Sequence, residues 1–511
     1  MTSPLEAHFG PFRDGIIGIG ERLAGSAGEV PLVYADWIAS GRLYGPIEDR
    51  LRSLAYPYVA NTHSESSALG ASMTAAYRAA HELIKLRVGA GPDDVVVTAG
   101  SGMTGVVNKL QRILGLRVPE RARGLCGRDG CGLREDDRPV VFLTHLEHHS
   151  NHTSWLESLA DVVVLEPDAD LRVDPAELER QLARYARRPL KIGSFSAGSN
   201  VTGVRPPYRD LARLMHRAGG LAFIDFAASA PYDPIDMHPA GDAEGSLDAV
   251  FFSPHKFLGG PGSPGVLVFN SRIYGNSVPD DPGGGTVAWT NRWGERRYVD
   301  DIESREDGGT PAFLGAIRAA LALELKELMG CAAIRGRETE LLDRAFAGLA
   351  SIPGLKILAE GERDRLGVIS FYFEDLHYNL VVRLLSDLYG IQVRGGCSCA
   401  GTYGHYLLHV DRERSREITC KIDSGDLTDK PGWVRLSLHP TMTNAELDYC
   451  LRALAEIAER GAAWAADYRL DRKRGEFVRI DGRRFEPMET AALFTREGLL
   501  VSRRLGKSRA E

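Results

Sequence analysis

Between about residues 65 and 315 the chain alternates short apolar runs, at 95–98, 140–143, 162–165, 191–195, 221–225 and 266–269, with amphipathic stretches. The runs are too short for self-sufficient helices and are set off by turn residues, so they read as strands. Strands that reach one another through helices return in the same direction. This predicts a mainly parallel sheet wrapped on both sides, an α/β fold. A different pattern follows. The segment 312–329 is helical by composition and period, with Gly330 placed to cap it, and beyond it strands at 356–358, 368–373 and 434–438 mix with helices at 378–388 and 444–458.

A chain of 511 residues exceeds one ordinary core. The patterns divide it into an N-terminal segment (1–60) packing with a smaller domain, a large domain (61–315), a bridging helix with a small domain (316–465), and an appendage (466–511). The appendage reads as a small hairpin with basic flanks, standing in solvent, and no internal repeat or low-complexity linker is evident. With 62 basic and 69 acidic side chains the net charge is −7, which offers no general attraction for nucleic acid or membrane. Seven cysteines, mostly unpaired by spacing, indicate a reducing compartment. The first residues, Met1 to Phe9, have neither a basic start nor an apolar core, and no later run is long enough to span a bilayer, so a cytoplasmic location is expected.

Chemistry concentrates at the strand ends. The run from Asp248 leads through Phe251 and Phe252 into Ser253-Pro-His255-Lys256 and then glycines, which presents a lysine away from solvent. Burial lowers an amine's pKa and makes it a nucleophile, as a Schiff base with pyridoxal phosphate requires. Asp225, closing the strand at 221–225, supplies the acid that would keep the pyridine nitrogen protonated. The turn between the run at 95–98 and the residues near Asn108 is rich in glycine and opens a helix, so the amides of Met103 and Thr104 are placed to meet a phosphate. Close packing also selects glycine in such turns, and a surface lysine after a buried strand is an ordinary outcome.

Further along, His145, His148, His149 and His152 form either a polar helix start or a metal site at helical spacing. Asn200 stands in Asn-Val-Thr-Gly203, a turn sequence. Cys397-Ser-Cys399 has a metal-ligand spacing with His405 and His409 nearby, while a disulfide two residues apart is geometrically poor. Arg435 sits in the strand at 434–438, with the charged stretch 411–417 before it reading as a solvated loop.

From about Tyr34 to about Ala455 these segments resemble the class-V aminotransferase family of fold-type I pyridoxal phosphate enzymes, in its cysteine desulfurase and selenocysteine lyase branch. The resemblance implies a large domain with a mainly parallel seven-stranded sheet between helices, plus a smaller α+β domain. It assigns Lys256 to the cofactor linkage, His148 to stacking on the ring and proton transfer, and Ser253 and His255 to the cofactor with Asp225, Met103 and Thr104. Asn200 would meet the substrate carboxylate or the cofactor, Arg435 would hold the carboxylate, and Cys399 would take sulfur as a persulfide. Thr310 matches a phosphate contact lent by a partner subunit, which implies a homodimer with shared active sites. A small amino-acid substrate and a sulfur-acceptor protein are the implied partners, with no metal in the site.

Departures limit the match. Ala228 stands where the family usually places a glutamine, which puts cofactor tuning in doubt. Cys397 stands where many relatives carry histidine, a form more like the desulfurase portion of molybdenum cofactor sulfurases. The insertion at 119–137, with Cys126 and Cys131, resembles half a zinc site and reads as a flexible surface loop. Another class-V activity without a catalytic cysteine (aminotransferase, epimerase or β-lyase) and a non-catalytic cofactor-binding scaffold are the competing readings.

Overall fold

Valine, isoleucine and phenylalanine dominate the apolar runs, and such side chains suit strands buried on both faces. In the computed structural model, which describes residues 3–26, 28–63, 65–122, 134–483, 485, 487–488 and 490–496, the runs become β1 (Asp94–Ala99), β2 (Val140–Thr144), β3 (Asp161–Leu165), β4 (Lys191–Ser196), β5 (Leu221–Asp225), β6 (Ala249–Phe252) and β7 (Gly265–Asn270). They form one seven-stranded sheet in the order β1-β7-β6-β5-β4-β2-β3. The pairs from β6 through β3 are parallel, whereas β7 runs antiparallel to both β1 and β6.

Alternate residues of each strand serve opposite faces, as the strand period requires. On one face Phe142, Phe195, Ile224 and Val250 pack against Ile84, Leu178, Leu211 and Leu323 of four helices, Ala68–Arg87, Pro175–Arg184, Tyr208–Arg217 and Phe313–Met329. On the other, Val141, Phe223, Phe251 and Leu267 pack against Met103, Val106 and Leu110 of helix Met103–Ile113 and Trp155 of helix His149–Leu156. The expected helix after residue 312 runs Phe313–Met329, and Gly330 closes it at φ +81.

A second, antiparallel sheet orders the strands Leu355–Ile357, Val368–Phe373, Trp433–Ser437 and Arg394–Gly396. Helices Cys331–Leu349, Tyr378–Tyr389 and Asn444–Trp464 bury its apolar face. The N-terminal segment joins it: Val33–Tyr34 pairs in parallel with Ile391–Gln392, and Arg13 holds Glu446 with two hydrogen bonds of 2.7 and 2.6 Å.

Two expectations are corrected. The charged stretch 411–417 is not a loop but lies in helix Arg412–Asp423, which Asp411 caps by accepting from the Arg414 N–H. Only Ile418 of that helix is buried, so its apolar periodicity is too weak to announce it. The hairpin Tyr468–Asp471/Glu476–Arg479 forms in register, but it is not left in solvent. Tyr468 is buried and donates to Asp387, and Asn379 Nδ2 donates to the Gly475 carbonyl at 2.6 Å. Most of the insertion at 119–137, including Cys126 and Cys131, lies outside the described residues. Among the described residues no helix is long and apolar enough to cross a membrane.

Candidate active site

Parallel strands deliver their carboxyl ends to one edge, where the loops that follow converge. Here β2 leads to His148, β4 to Ser196 and Asn200, β5 ends on Asp225, and β6 runs into Ser253, His255 and Lys256. All of these line one cavity of about 470 Å³, together with Gly102, Met103, Thr104, Ala228, Arg394, Ser398, Cys399 and Arg435. With Ile38 and Ala39 of the N-terminal segment, residues from both sheets therefore share one cavity.

The glycine turn is shaped for close approach. A Cβ on Gly102 would lie 2.9 Å from His255 Cε1 and 3.0 Å from Ser253 Oγ, so a side chain there would close the turn. The Met103 N–H donates to Ser253 Oγ at 2.8 Å, and Thr104 Oγ1 lies 2.7 Å from Ser150 Oγ. Ser253 and His255, which hydrogen-bonds the Ser101 carbonyl at 3.0 Å, thus form the outer wall of the cradle. Met103 starts its helix, which aims the positive end of the helix dipole into the cavity.

Lys256 is half-buried and lines the cavity; burial drives its ammonium well below the ordinary lysine range, opposed by Asp225. Asp225 is 3 % exposed, and burial pushes its carboxyl well above the usual range, although the Ala227 N–H donates to Oδ1 at 2.8 Å. A buried acid of this kind suits a cationic partner such as a pyridinium, which would stabilise its ionised form. The His148 imidazole is pushed down to about 3 by burial and by the neighbouring Lys256, His149 and Arg435 charges. Its Nδ1 accepts from the Ser150 N–H at 3.1 Å, which leaves the ring proton on Nε2. His148 is also the N-cap of helix His149–Leu156, so the reading as a helix start holds alongside its place in the cavity.

Arg435 is 3 % exposed. Its Nη1 donates to the Asn200 carbonyl at 3.0 Å and its Nη2 to Asp36 Oδ1 at 2.8 Å, while Nε is buried and has no partner among the described residues. A buried guanidinium with one unmet donor is costly, and Arg435 lines the cavity, where a ligand carboxylate would offset its charge. The other oxygen of Asp36 accepts from Arg394 Nε at 3.1 Å. The Asn200 side chain donates to the Ser398 carbonyl at 2.7 Å, which ties it to the cysteine loop. Cys399 is exposed and close enough to Arg435 to bear on its charge; Cys397 is half-buried beside Tyr378.

Thr310 is not brought into this cavity. It is exposed, 3.3 Å from Asn61 Oδ1. His405 turns to the Gly401 carbonyl and Ser415, away from the cysteine pair, and among the described residues no group of three or more histidine, cysteine, aspartate or glutamate side chains is placed to hold a metal ion. Asp36 and Arg394 carry no candidate role in the sequence, and His149 stands there only in the histidine group; the contacts of all three join segments far apart in the chain.

The residues present fit pyridoxal phosphate. A glycine turn at a helix start faces a buried lysine, a buried acid and a neutral histidine, and an arginine with an unused donor stands opposite.

Comparison with known proteins agrees. The sequence profile of the aminotransferase class-V family matches residues 131–450. A probable cysteine desulfurase of Halalkalibacterium halodurans is 28% identical over 381 residues, covering 72% of this chain and 84% of that protein. A cysteine desulfurase of Synechococcus elongatus is 29% identical over 375 residues, covering 72% of this chain and 55% of that protein. Among solved structures, the Escherichia coli cysteine desulfurase CsdA in an S-sulfonic acid form superposes with a TM-score of 0.67 at 24% identity, over 88% of this chain and 98% of that one. An apo cysteine desulfurase of Thermococcus onnurineus gives 0.66 at 21%, over 84% and 95%. These superpositions establish the fold, with its mainly parallel central sheet.

Proposed function

The chain belongs to the class-V aminotransferase family, and from that premise we propose that it is a pyridoxal phosphate-dependent cysteine desulfurase, converting L-cysteine to L-alanine and holding the sulfur as a persulfide on Cys399. The observation that carries this reading is that Cys399 lines the same cavity as Lys256, Asp225 and Arg435. The names of the relatives support the same reaction.

Arg435, which lines the cavity, holds the substrate carboxylate with its guanidinium, and this fixes which bond of the substrate faces the cofactor. Bound pyridoxal phosphate supplies the electron sink for the substrate carbon, with Asp225 keeping its ring nitrogen protonated. Lys256, whose ammonium burial makes easier to deprotonate, takes the α-proton. The Cys399 thiolate attacks the substrate sulfur: an S–S bond forms, the Cβ–S bond breaks, and its electron pair stays with the substrate carbon. Lys256 returns a proton to the α-carbon, and the proton shed by the Cys399 thiol goes to the β-carbon past the neutral His148 ring, which completes alanine. A second subunit contributes Thr310 to the phosphate, so the working unit is a homodimer, and a separate protein or small thiol then accepts the sulfur.

The test is incubation of the holoprotein with L-cysteine, measuring alanine and mapping the persulfide by mass spectrometry. Alanine equal to the sulfur mobilised, with the persulfide on Cys399, is expected. A second reading, a class-V enzyme without a catalytic cysteine, draws on Ala228, which lines the cavity with a methyl group that offers no hydrogen bond. Turnover of amino acids without any alanine from L-cysteine would select it.

A further inference from the structure

One histidine holds the cysteine loop at two points. The His149 backbone N–H donates to the Cys399 carbonyl at 2.7 Å, and its ring Nε2 accepts from the Gly401 N–H at 2.9 Å. The fit is close, since a Cβ on Gly401 would lie 3.1 Å from that Nε2. The loop needs such ties. Ser398 and Cys399 are consecutive non-glycine residues at φ +51 and +57, a backbone region that L-residues avoid. Without external partners the segment would relax toward extended conformations and carry the sulfur elsewhere. Burial, with Lys430 opposing further positive charge, holds the His149 imidazole below its ordinary pKa, so it stays neutral and able to accept. Asn200 adds a third tie at the Ser398 carbonyl.

We propose that His149 is a positioning residue that docks the cysteine loop and thereby aims Cys399 at substrate held by Arg435. The proposal rests on the reading of Cys399 as the sulfur acceptor. His149 follows His148 directly, so one helix start sets both the ring facing the cofactor and the tie that fixes the thiol.

The experiment compares His149→Leu and His149→Gln in the holoprotein. Both side chains fill the space, but only glutamine offers an acceptor to the Gly401 N–H. Two quantities are read: the rate of iodoacetamide alkylation at Cys399, mapped by peptide mass spectrometry, and kcat and KM for L-cysteine, with cofactor absorbance and Tm as folding controls. For the leucine variant we expect alkylation at least about fivefold faster and kcat about tenfold lower, with KM within about threefold, and glutamine restores most of both. Unchanged alkylation in the leucine variant, or a glutamine variant as impaired as leucine, overturns the proposal. If leucine prevents folding, His149→Asn replaces it, its acceptor being too short to reach Gly401, with the same expectations. A wild-type protein that yields no alanine from L-cysteine refutes the desulfurase reading, while the alkylation comparison still reads the docking.

Discussion

Asp36 and Arg435 stand 399 positions apart in the chain, yet the cavity-lining Arg435 donates from Nη2 to Asp36 Oδ1 at 2.8 Å. Because Asp36 also takes Arg394 Nε at 3.1 Å, one carboxylate braces the two arginines. The strand pairing of Val33–Tyr34 with Ile391–Gln392 puts it there. Arg435 is thereby held in place at the cavity that it lines.

Asp36→Asn keeps the shape and removes the charge. The fork loosens, so KM for L-cysteine should rise about tenfold while kcat stays within about threefold, as expected when an interaction common to ground and transition states is weakened. Steady-state kinetics check this; a fall in KM would instead identify Asp36 as a competitor of the substrate carboxylate.

Lys256→Ala should lose the visible absorption of the lysine-linked cofactor, and Asp225→Asn should retain the cofactor but lose roughly 100-fold in turnover, since an amide cannot hold the ring proton through the reaction. Absorption spectra and alanine formation separate the two effects. Wild-type absorption in Lys256→Ala would reject the covalent assignment.

Cys399→Ser should abolish alanine formation from L-cysteine and keep cofactor and substrate binding, because a hydroxyl does not replace a thiolate in attack on sulfur. Cys397→Ser is expected to lose less. Retained activity of Cys399→Ser on L-selenocysteine would mark selenium removal as independent of the thiol. Dependence on Cys397 in place of Cys399 would transfer the nucleophile's role to Cys397.

Glu338 is 1 % exposed; its Oε1 accepts from the Gly367 N–H at 2.8 Å, and Oε2 has no hydrogen-bond partner among the described residues, with Arg205 3.7 Å away. Burial pushes its carboxyl up to about 8 from an ordinary 4.5. The folded protein therefore keeps a proton that the unfolded chain has lost across that window, and stability falls as pH rises through it. Glu338→Gln removes this loss, so its Tm should match wild type near about pH 5 and exceed it by about 4 °C near about pH 9. Thermal melts at the two pH values test this, and equal Tm shifts at both would refute the buried-proton account.

Periodicity and strand-end chemistry were enough for the central sheet and to pick out Lys256, Asp225 and the glycine turn as candidates, because each is encoded by neighbours in the chain. The apolar runs carry their own burial pattern, and a lysine or aspartate closing such a run is read directly from its flanks. Arg435 and Cys399 came from resemblance to a family, as nothing in their own segments separates a ligand-binding arginine from a structural one. The helix Arg412–Asp423 escaped notice because it buries a single side chain, and the C-terminal hairpin looked solvated because its apolar contacts are with residues far away. Asp36, and the docking contacts of His149, were legible only in three dimensions. Their roles depend on hydrogen bonds to Arg435, Arg394, Cys399 and Gly401, and such contacts are set by how the two sheets and the N-terminal segment pack, which local sequence does not encode.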